Sequence, residues 1–377
     1  MFDVIVCGAG PAGSVAAISL ARRGARVLLL DRARFPRDKL CGDTLNPGTL
    51  RYLGRLGLAD DLAACSSPVD GMIISGERGT RIQARYRRGR HGVSILRRDL
   101  DHRLLQAAAR SGARIEEGVL VRGPLVDTAD GTPRVRGVVL AGRGGAGVRV
   151  PAPLVIAADG RRSRLALALH LIRHPARPRR WAIGAYFDDV AGMTTFGEMH
   201  VRRDRYIGVA PVPPGLANIC YVSEHTEGFR DPAAALWAAI RADADLAERC
   251  ARARMVAPPT SLGPLAVEAA ACGVPGLLLA GDAAGFIDPM TGDGLRFAIQ
   301  GGDLAARAAL AALADGRAAH HRLETSRAHA FRRKHRFNRA LRSLVAAPSA
   351  VAAASAVARI APWAIRHAVD VAGDVGL

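Results

Sequence analysis

Lysine is almost missing from this 377-residue chain: it occurs only at Lys39 and Lys334, so arginine carries nearly all of a net charge of +19. Acidic side chains are also in short supply, 34 against 53 basic ones. Such an excess raises the question of nucleic acid, yet aromatics are only 5% and no helix-turn-helix, zinc-finger or RNA-binding signature is present. The charge is read as a solvated basic surface, with attraction to anionic lipid or an acidic partner as the sharper alternative. Cysteine is sparse and scattered: Cys7, Cys41, Cys65, Cys220, Cys250 and Cys272 form no C-x-x-C pair. That argues against a zinc site or a dense disulfide framework and suits a reducing cytoplasm. The uncharged run 343–358 contains Pro348 and is too short and alanine-rich to span a bilayer. No signal peptide is evident, because strand-like sequence starts at Phe2. The expectation is a cytoplasmic globular chain, at most peripheral to a membrane. Its length calls for roughly two or three hydrophobic cores.

Glycine, by contrast, is abundant and clustered. An apolar run, Phe2 to Cys7, has the look of a buried parallel strand. It leads into Gly8-Ala9-Gly10-Pro11-Ala12-Gly13, a G-x-G-x-x-G sequence that opens a helix predicted over about Ser14 to Arg23. Glycines in this pattern serve a tight turn, close approach of backbone to a pyrophosphate, and close helix–strand packing, while the helix N-terminus offers free N–H groups. A second strand from Arg26 ends at Asp31, an acid placed to accept from ribose hydroxyls. Gly142-Arg-Gly144-Gly145-Ala-Gly147 matches the same pattern but has no helix behind it, and is read as a hairpin turn.

Two distant segments narrow the cofactor. Leu154 to Gly160 is a buried strand ending in Asp159-Gly160, followed by Ser163. Gly276 to Gly285 is another, ending in Gly281-Asp282, after which Pro289-Met-Thr291-Gly292-Asp293-Gly294-Leu295 opens a helix running to about Leu313. In this order the three motifs resemble the FAD family containing para-hydroxybenzoate hydroxylase, flavin halogenases and geranylgeranyl reductases, over all but the C-terminal segment. The resemblance implies an α/β fold: a Rossmann-like, discontinuous FAD-binding domain (1–70, 95–175 and 265–340), a β-sheet substrate domain (71–94 and 176–264) and a C-terminal helical segment (341–377). It gives cofactor-binding roles to Gly8, Gly10, Ala12, Gly13, Asp31, Asp159 and Asp282. Arg97, in Arg-Arg-Asp-Leu-Asp101, matches an R-x-x-L-D element whose arginine contacts the cofactor; by itself it reads as a surface ion pair with Asp101. Val121 falls where the family's backbone meets the adenine. Gly292, Gly294 and Leu295 place a helix N-terminus at the flavin edge that becomes negative on reduction.

Phe35-Pro-Arg-Asp-Lys39-Leu-Cys41-Gly42-Asp43 is similar to the stretch carried by geranylgeranyl-reductase-like members, which gives Cys41, Gly42 and Thr44 cofactor contacts and makes Cys41 the one catalytic candidate, with a space-filling thiol as the alternative. The halogenase W-x-W-x-I-P sequence is absent. Tyr206-Ile-Gly208-Val-Ala210-Pro211 stands where these reductases carry Y-x-W-x-F-P, so the tryptophan is missing. Phe286 and Leu167 replace a His and an Arg frequent in the wider family. Runs at 181–187, 194–201, 205–212 and 217–223 predict an antiparallel sheet over the flavin, on which Tyr186, Glu198, His200 and Tyr206 are candidates for substrate contact or for exposed outer positions. The activity implied is transfer of NAD(P)H-derived electrons through FAD to an apolar small molecule, either reducing a C=C bond or inserting oxygen. An FAD-bearing electron carrier is the alternative of another class.

Overall fold

The computed structural model describes all residues except 77–80, 88, 129–132, 143–145, 177–178, 225–226, 288–289, 291, 346–361 and 376–377, and leaves out the side chains of 227–228, 341–345, 362 and 364–365. Its longer helices are α1 (Pro11–Ala21), α2 (Pro47–Arg55), α3 (Arg97–Arg110), α4 (Pro232–Arg241), α5 (Ala244–Arg249), α6 (Gly294–Asp315), α7 (Ala319–Val345) and α8 (Pro362–Ala372).

Short runs build a six-stranded sheet in the order Gly273–Val274, Leu277–Leu279, Leu154–Ala157, Val4–Cys7, Val27–Asp31, Arg114–Glu117. Neighbours run parallel except the first pair. Both faces are covered, which is why the central strands Leu277–Leu279, Leu154–Ala157 and Val4–Cys7 are apolar at every position and do not alternate, whereas the edge strand Arg114–Glu117 is mostly charged. Val4 and Val6 pack into a core with α1, α3 and α6, whereas Ile5 and Cys7 pack on the other side against Val121, Val138 and Leu140. Those residues belong to a three-stranded sheet that includes Arg134–Ala141 and Gly147–Pro151, an antiparallel pair as predicted; the Gly142 N–H donates to the Ala146 carbonyl at 2.9 Å, and 143–145 of the predicted turn lie outside the described residues. Helix α1 begins at Pro11, earlier than predicted, because proline at the first helical position supplies its fixed φ and gives up an N–H that has no partner there.

A second sheet runs Arg254–Met255, Trp181–Asp188, Leu216–Ser223, Arg205–Val212, Phe196–Arg202, Gly71–Ser75, Arg81–Arg85, with Thr260–Leu262 also on Trp181–Asp188. The four runs predicted to form an antiparallel sheet do pair antiparallel. Phe196–Arg202 and Gly71–Ser75 run parallel, because Gly71–Ser75 enters from a distant part of the chain and not through a hairpin. One face packs under α4 and α5 in a core containing Ile183, Phe187, Ile219 and Leu236. The other face turns toward the first sheet's helices and the loop between Val27–Asp31 and α2. Helix α6 stops at Gly316, whose φ of +70° makes the left-handed cap that glycine takes without strain.

Candidate active site

The fingerprint glycines divide their duties unequally. A Cβ on Gly8 would lie 2.4 Å from the Ala158 carbonyl oxygen, and one on Gly13 would lie 1.8 Å from the Gly8 carbonyl oxygen. Both are therefore required by the fold's own packing. A Cβ on Gly10 would meet only the end of Arg37, at 3.8 Å. Gly10, Pro11 and Ala12 line an open cavity of about 420 Å³ at the start of α1, where unpaired N–H groups and the helix dipole favour a pyrophosphate. Asp31 accepts from the Ala9 N–H (2.7 Å) and the Ala33 N–H (2.8 Å), so its carboxylate shapes the glycine loop from behind.

Asp282, Gly292, Gly294, Leu295, Cys41, Gly42, Thr44 and Arg97 line the same cavity, together with Lys39 and Arg161. Asp159 stands just behind it. Its Oδ2 accepts from the Arg164 N–H at 3.0 Å, while its buried Oδ1 has no hydrogen-bond partner. Val121 begins strand Val121–Asp127 and packs in the core behind the sheet; it is not among the residues lining the cavity. Pro289 and Thr291 lie outside the described residues. The residues present fit FAD: a pyrophosphate-sized opening at Gly10, an orphaned buried oxygen on Asp159, and the N-terminus of α6, a helix of 22 residues, on the cavity wall.

The loop 39–44 joins this cradle to the second sheet. Asp43, fully buried and left-handed (φ +52°), is its latch. Its Oδ2 accepts from the Tyr186 hydroxyl (2.7 Å) and from Asn218 Nδ2 (2.5 Å); its Oδ1 accepts from the Arg97 N–H (3.2 Å). Asn218 Nδ2 also donates to the Cys41 carbonyl at 2.7 Å. Burial pushes the Asp43 carboxyl up to about 7, against the pull of Tyr186, Arg97 and Asn218. Burial likewise raises the Cys41 thiol, and the neighbouring Arg97 guanidinium offsets part of that rise. Arg97 pairs with Asp101 in bidentate fashion (3.0 and 2.8 Å), but the pair is buried and not at the surface as expected, and Arg97 lines the cavity as well. Neither Asp43 nor Asn218 stood out in the sequence; an acid just after Cys41-Gly42 was the only sign.

Glu198 and His200 are both buried, and Glu198, but not His200, is among the residues that line the cavity. They share a face with Val209 and Ile207, their cross-strand partners, which pack under α4 and α5. Arg249 clamps Glu198 at 2.7 and 2.8 Å, His200 Nε2 lies 3.0 Å from Glu198 Oε2, and Arg202 pairs with Asp243 at 2.6 Å. Burial alone would raise Glu198, but His200 and Arg249 hold it at about 2. Burial would lower His200, but Asp243 and Glu198 raise it. Glu198, His200 and Asp245 are close enough together to suit a cation. The two arginines and a tightly held imidazole proton already supply that positive charge. Tyr206, by contrast, is nearly buried in the cavity wall.

A glycine-rich helix N-terminus at one end of a cavity, and an apolar sheet face at the other, define a flavin-dependent oxidoreductase. The chain belongs to the FAD-binding domain family, which matches residues 1–340. It is 32% identical to a menaquinone reductase of Mycolicibacterium smegmatis over 320 residues, 81% of this chain and 75% of that protein. It is 30% identical to a digeranylgeranylglycerophospholipid reductase of Methanopyrus kandleri over 330 residues, 83% of this chain and 81% of that one. It spans 66% of a conditioned medium factor receptor from Dictyostelium discoideum, at 28% identity. Among solved structures, the myxobacterial chondrochloren halogenase CndH superposes with a TM-score of 0.82 at 26% identity, covering 90% of this chain and 81% of that one. Among the described residues no helix is long and apolar enough to cross a membrane.

Proposed function

We propose that this flavoprotein reduces a carbon–carbon double bond of an apolar, isoprenoid-like substrate with electrons drawn from NAD(P)H. The observation that carries the reading is the cavity itself. Beyond the cradle its walls include Met72, Ile74, Ile82, Val201, Val222 and Leu262, a lining that suits a hydrocarbon. The names of the menaquinone and digeranylgeranylglycerophospholipid reductases point to substrates of that class. Bound FAD supplies the hydride-transfer chemistry.

The chain's own part is to bind, orient and furnish a proton. Saturating a double bond adds a hydride to one carbon and a proton to the other. Cys41 lines the cavity and keeps its proton at neutral pH, because burial outweighs the pull of Arg97. Its Sγ–H is the proton donor in this reading, replenished from solvent after each turnover. Asp43 sets the position of the loop that carries it. The start of α6 and Lys39 stabilise negative charge on the opposite side.

A monooxygenase is the second reading, favoured by the missing tryptophan in the Tyr206 segment and by the halogenase likeness. Anaerobic turnover separates the two: a product heavier by two hydrogens, formed without oxygen, supports the reductase, and strict oxygen dependence overturns it. Cys41→Ser is expected to keep FAD while turnover falls by about 2–4 kcal/mol in the barrier, the size of one lost catalytic contact. Gly10→Val and Asp282→Ala are expected to lose FAD on gel filtration, and FAD retained in both would mean the cradle is misplaced. Trp363, 68% exposed beside exposed Arg366 and His367, suits docking on an anionic lipid surface that stores such a substrate; co-sedimentation with anionic vesicles tests it.

A further inference from the structure

One end of the cavity is not built by the family domain alone. Its wall includes Ala368, Val369 and Ala372, on one face of α8, opposite Phe337 and Tyr86. The family match ends at residue 340. The C-terminal strap is nevertheless fitted closely. A Cβ on Gly48 would fall 2.3 Å from Asp374 Cβ, and one on Gly373 would fall 2.5 Å from Tyr86 Cε1. So α2 on one side and the end of strand Arg81–Arg85 on the other leave room only for glycine at the contact. Polar anchors hold both sides. Arg87 Nε pairs with Asp370 at 2.7 Å on the substrate sheet. On the cofactor side Asp374 pairs with Arg296 of α6, and Lys334, only 2% exposed, donates to the carbonyls of Val371 (2.9 Å) and Ala372 (2.6 Å). The Gly48 N–H donates to the Gly373 carbonyl at 3.0 Å, and Asn46 Nδ2 to that of Ala372 at 3.2 Å.

Lys334 also lies 3.0 Å from Asp293, the cap of the helix whose next residues, Gly294 and Leu295, border the flavin end. The strap is thus tied to the same helix that faces the cofactor. No charged group of the strap faces the hydrocarbon space, because Asp370 and Asp374 are spent on arginines. What remains is a smooth stop of two alanines and a valine.

We propose that Ala368, Val369 and Ala372 are specificity-determining residues: the strap gauges the length of the apolar tail that the cavity admits. The proposal rests on the apolar-substrate reading above and adds to it where the tail ends and what stops it. Closed cavities discriminate hydrocarbon length by a few contacts, each worth roughly tenfold in affinity.

The test uses the FAD-loaded protein and the perturbation of its flavin absorbance on titration with a quinone lacking a side chain and with quinones bearing short, medium and long isoprenoid tails. This readout needs no turnover. Ala368→Phe should weaken binding of the longest tail that the wild type accepts by about tenfold or more and leave the tailless quinone unchanged. Val369→Ala should shift the optimum the other way, toward longer tails, which a misfolded strap cannot do. Equal weakening for every tail in the first variant, or no shift of optimum in either, overturns the gauge. Failure of the wild type to bind any tailed quinone overturns it too. Tail-dependent binding without anaerobic double-bond reduction would sink the reaction assigned above and leave the gauge standing.

Discussion

The substrate sheet carries a buried polar cluster on each face, and the two are opposites in electrostatic design. On the outer face Glu198, Asp243 and Asp245 meet Arg249, Arg202 and His200, so each acid has a cation in reach. On the cavity face Asp43 has three neutral donors and no ion pair of its own. Burial therefore wins at Asp43, which rises to about 7, and loses at Glu198, which falls to about 2. The comparison teaches how to rank buried acids. A balanced cluster holds a fold together, whereas an acid left short of compensation beside a cavity marks the place where protonation is free to matter.

The largest effect should come from breaking the balanced cluster. Glu198→Ala strands Arg249 and His200 in the interior and is expected to cost about 3–5 kcal/mol in chemical denaturation, with FAD retained. Normal stability with lost turnover would instead make the outer cluster part of the site and void the contrast. Next, Asp43→Asn should leave the fold intact and lower turnover by about a hundredfold, because the Cys41 loop loses its register against the sheet.

The two acids should also shape stability in opposite directions with pH. Asp43 binds its proton more tightly when folded, so its contribution is favourable in acid and declines as pH rises from about 3.8, its ordinary value, to about 7. Glu198 contributes stability above its ordinary 4.5, and that is lost as pH falls toward 2. His200, raised by Asp243 and Glu198, adds stability that fades as pH climbs past 6.5 toward its own higher value. Melting temperature against pH should therefore lose part of its decline between pH 4 and 7 in Asp43→Asn, and keep it in a Glu198→Gln control. The smallest effect is Tyr186→Phe: about 1 kcal/mol for one hydrogen bond, together with an upward shift of the pH at which turnover titrates, since Asp43 loses a donor to its charged form. A downward shift would mean that the donor stabilises the protonated acid.

The cradle was legible in the sequence because backbone geometry dictates it. Gly8 and Gly13 sit where any Cβ would strike a carbonyl, and Gly10 sits where it would face a ligand, so glycine spacing is nearly a record of the fold. Asp31 was read from the same spacing, whereas the roles given to Asp282 and the start of α6 came from the family resemblance. The latch was not legible. Asp43 meets residues 143 and 175 positions away, on two different strands, and nothing local to Tyr186 or Asn218 announces a partner. Glu198 and His200 were rightly placed on one face by alternation, yet alternation cannot say which face looks into the cavity. Whether α5 or the flavin lies above it is a matter of topology. The strap was read only as part of a C-terminal helical segment, because its role depends on Gly48 and Tyr86, far upstream.

The order of the central sheet has a consequence for how the protein comes into being. Strand Val4–Cys7 lies beside Leu154–Ala157, which lies beside Leu277–Leu279. The floor of the cradle is sealed by α6, which crosses α1 so closely that a Cβ on Gly302 would sit 2.1 Å from the Ala12 carbonyl oxygen. During synthesis the first strand can pair early with Val27–Asp31 on one side, but its neighbour on the other, Leu154–Ala157, and the strand beyond, Leu277–Leu279, follow much later. Until then that apolar edge is open, the condition under which nascent chains aggregate or recruit chaperones. Flavin loading is therefore a late event in the life of the molecule, and FAD supply during expression should govern how much of it survives to fold.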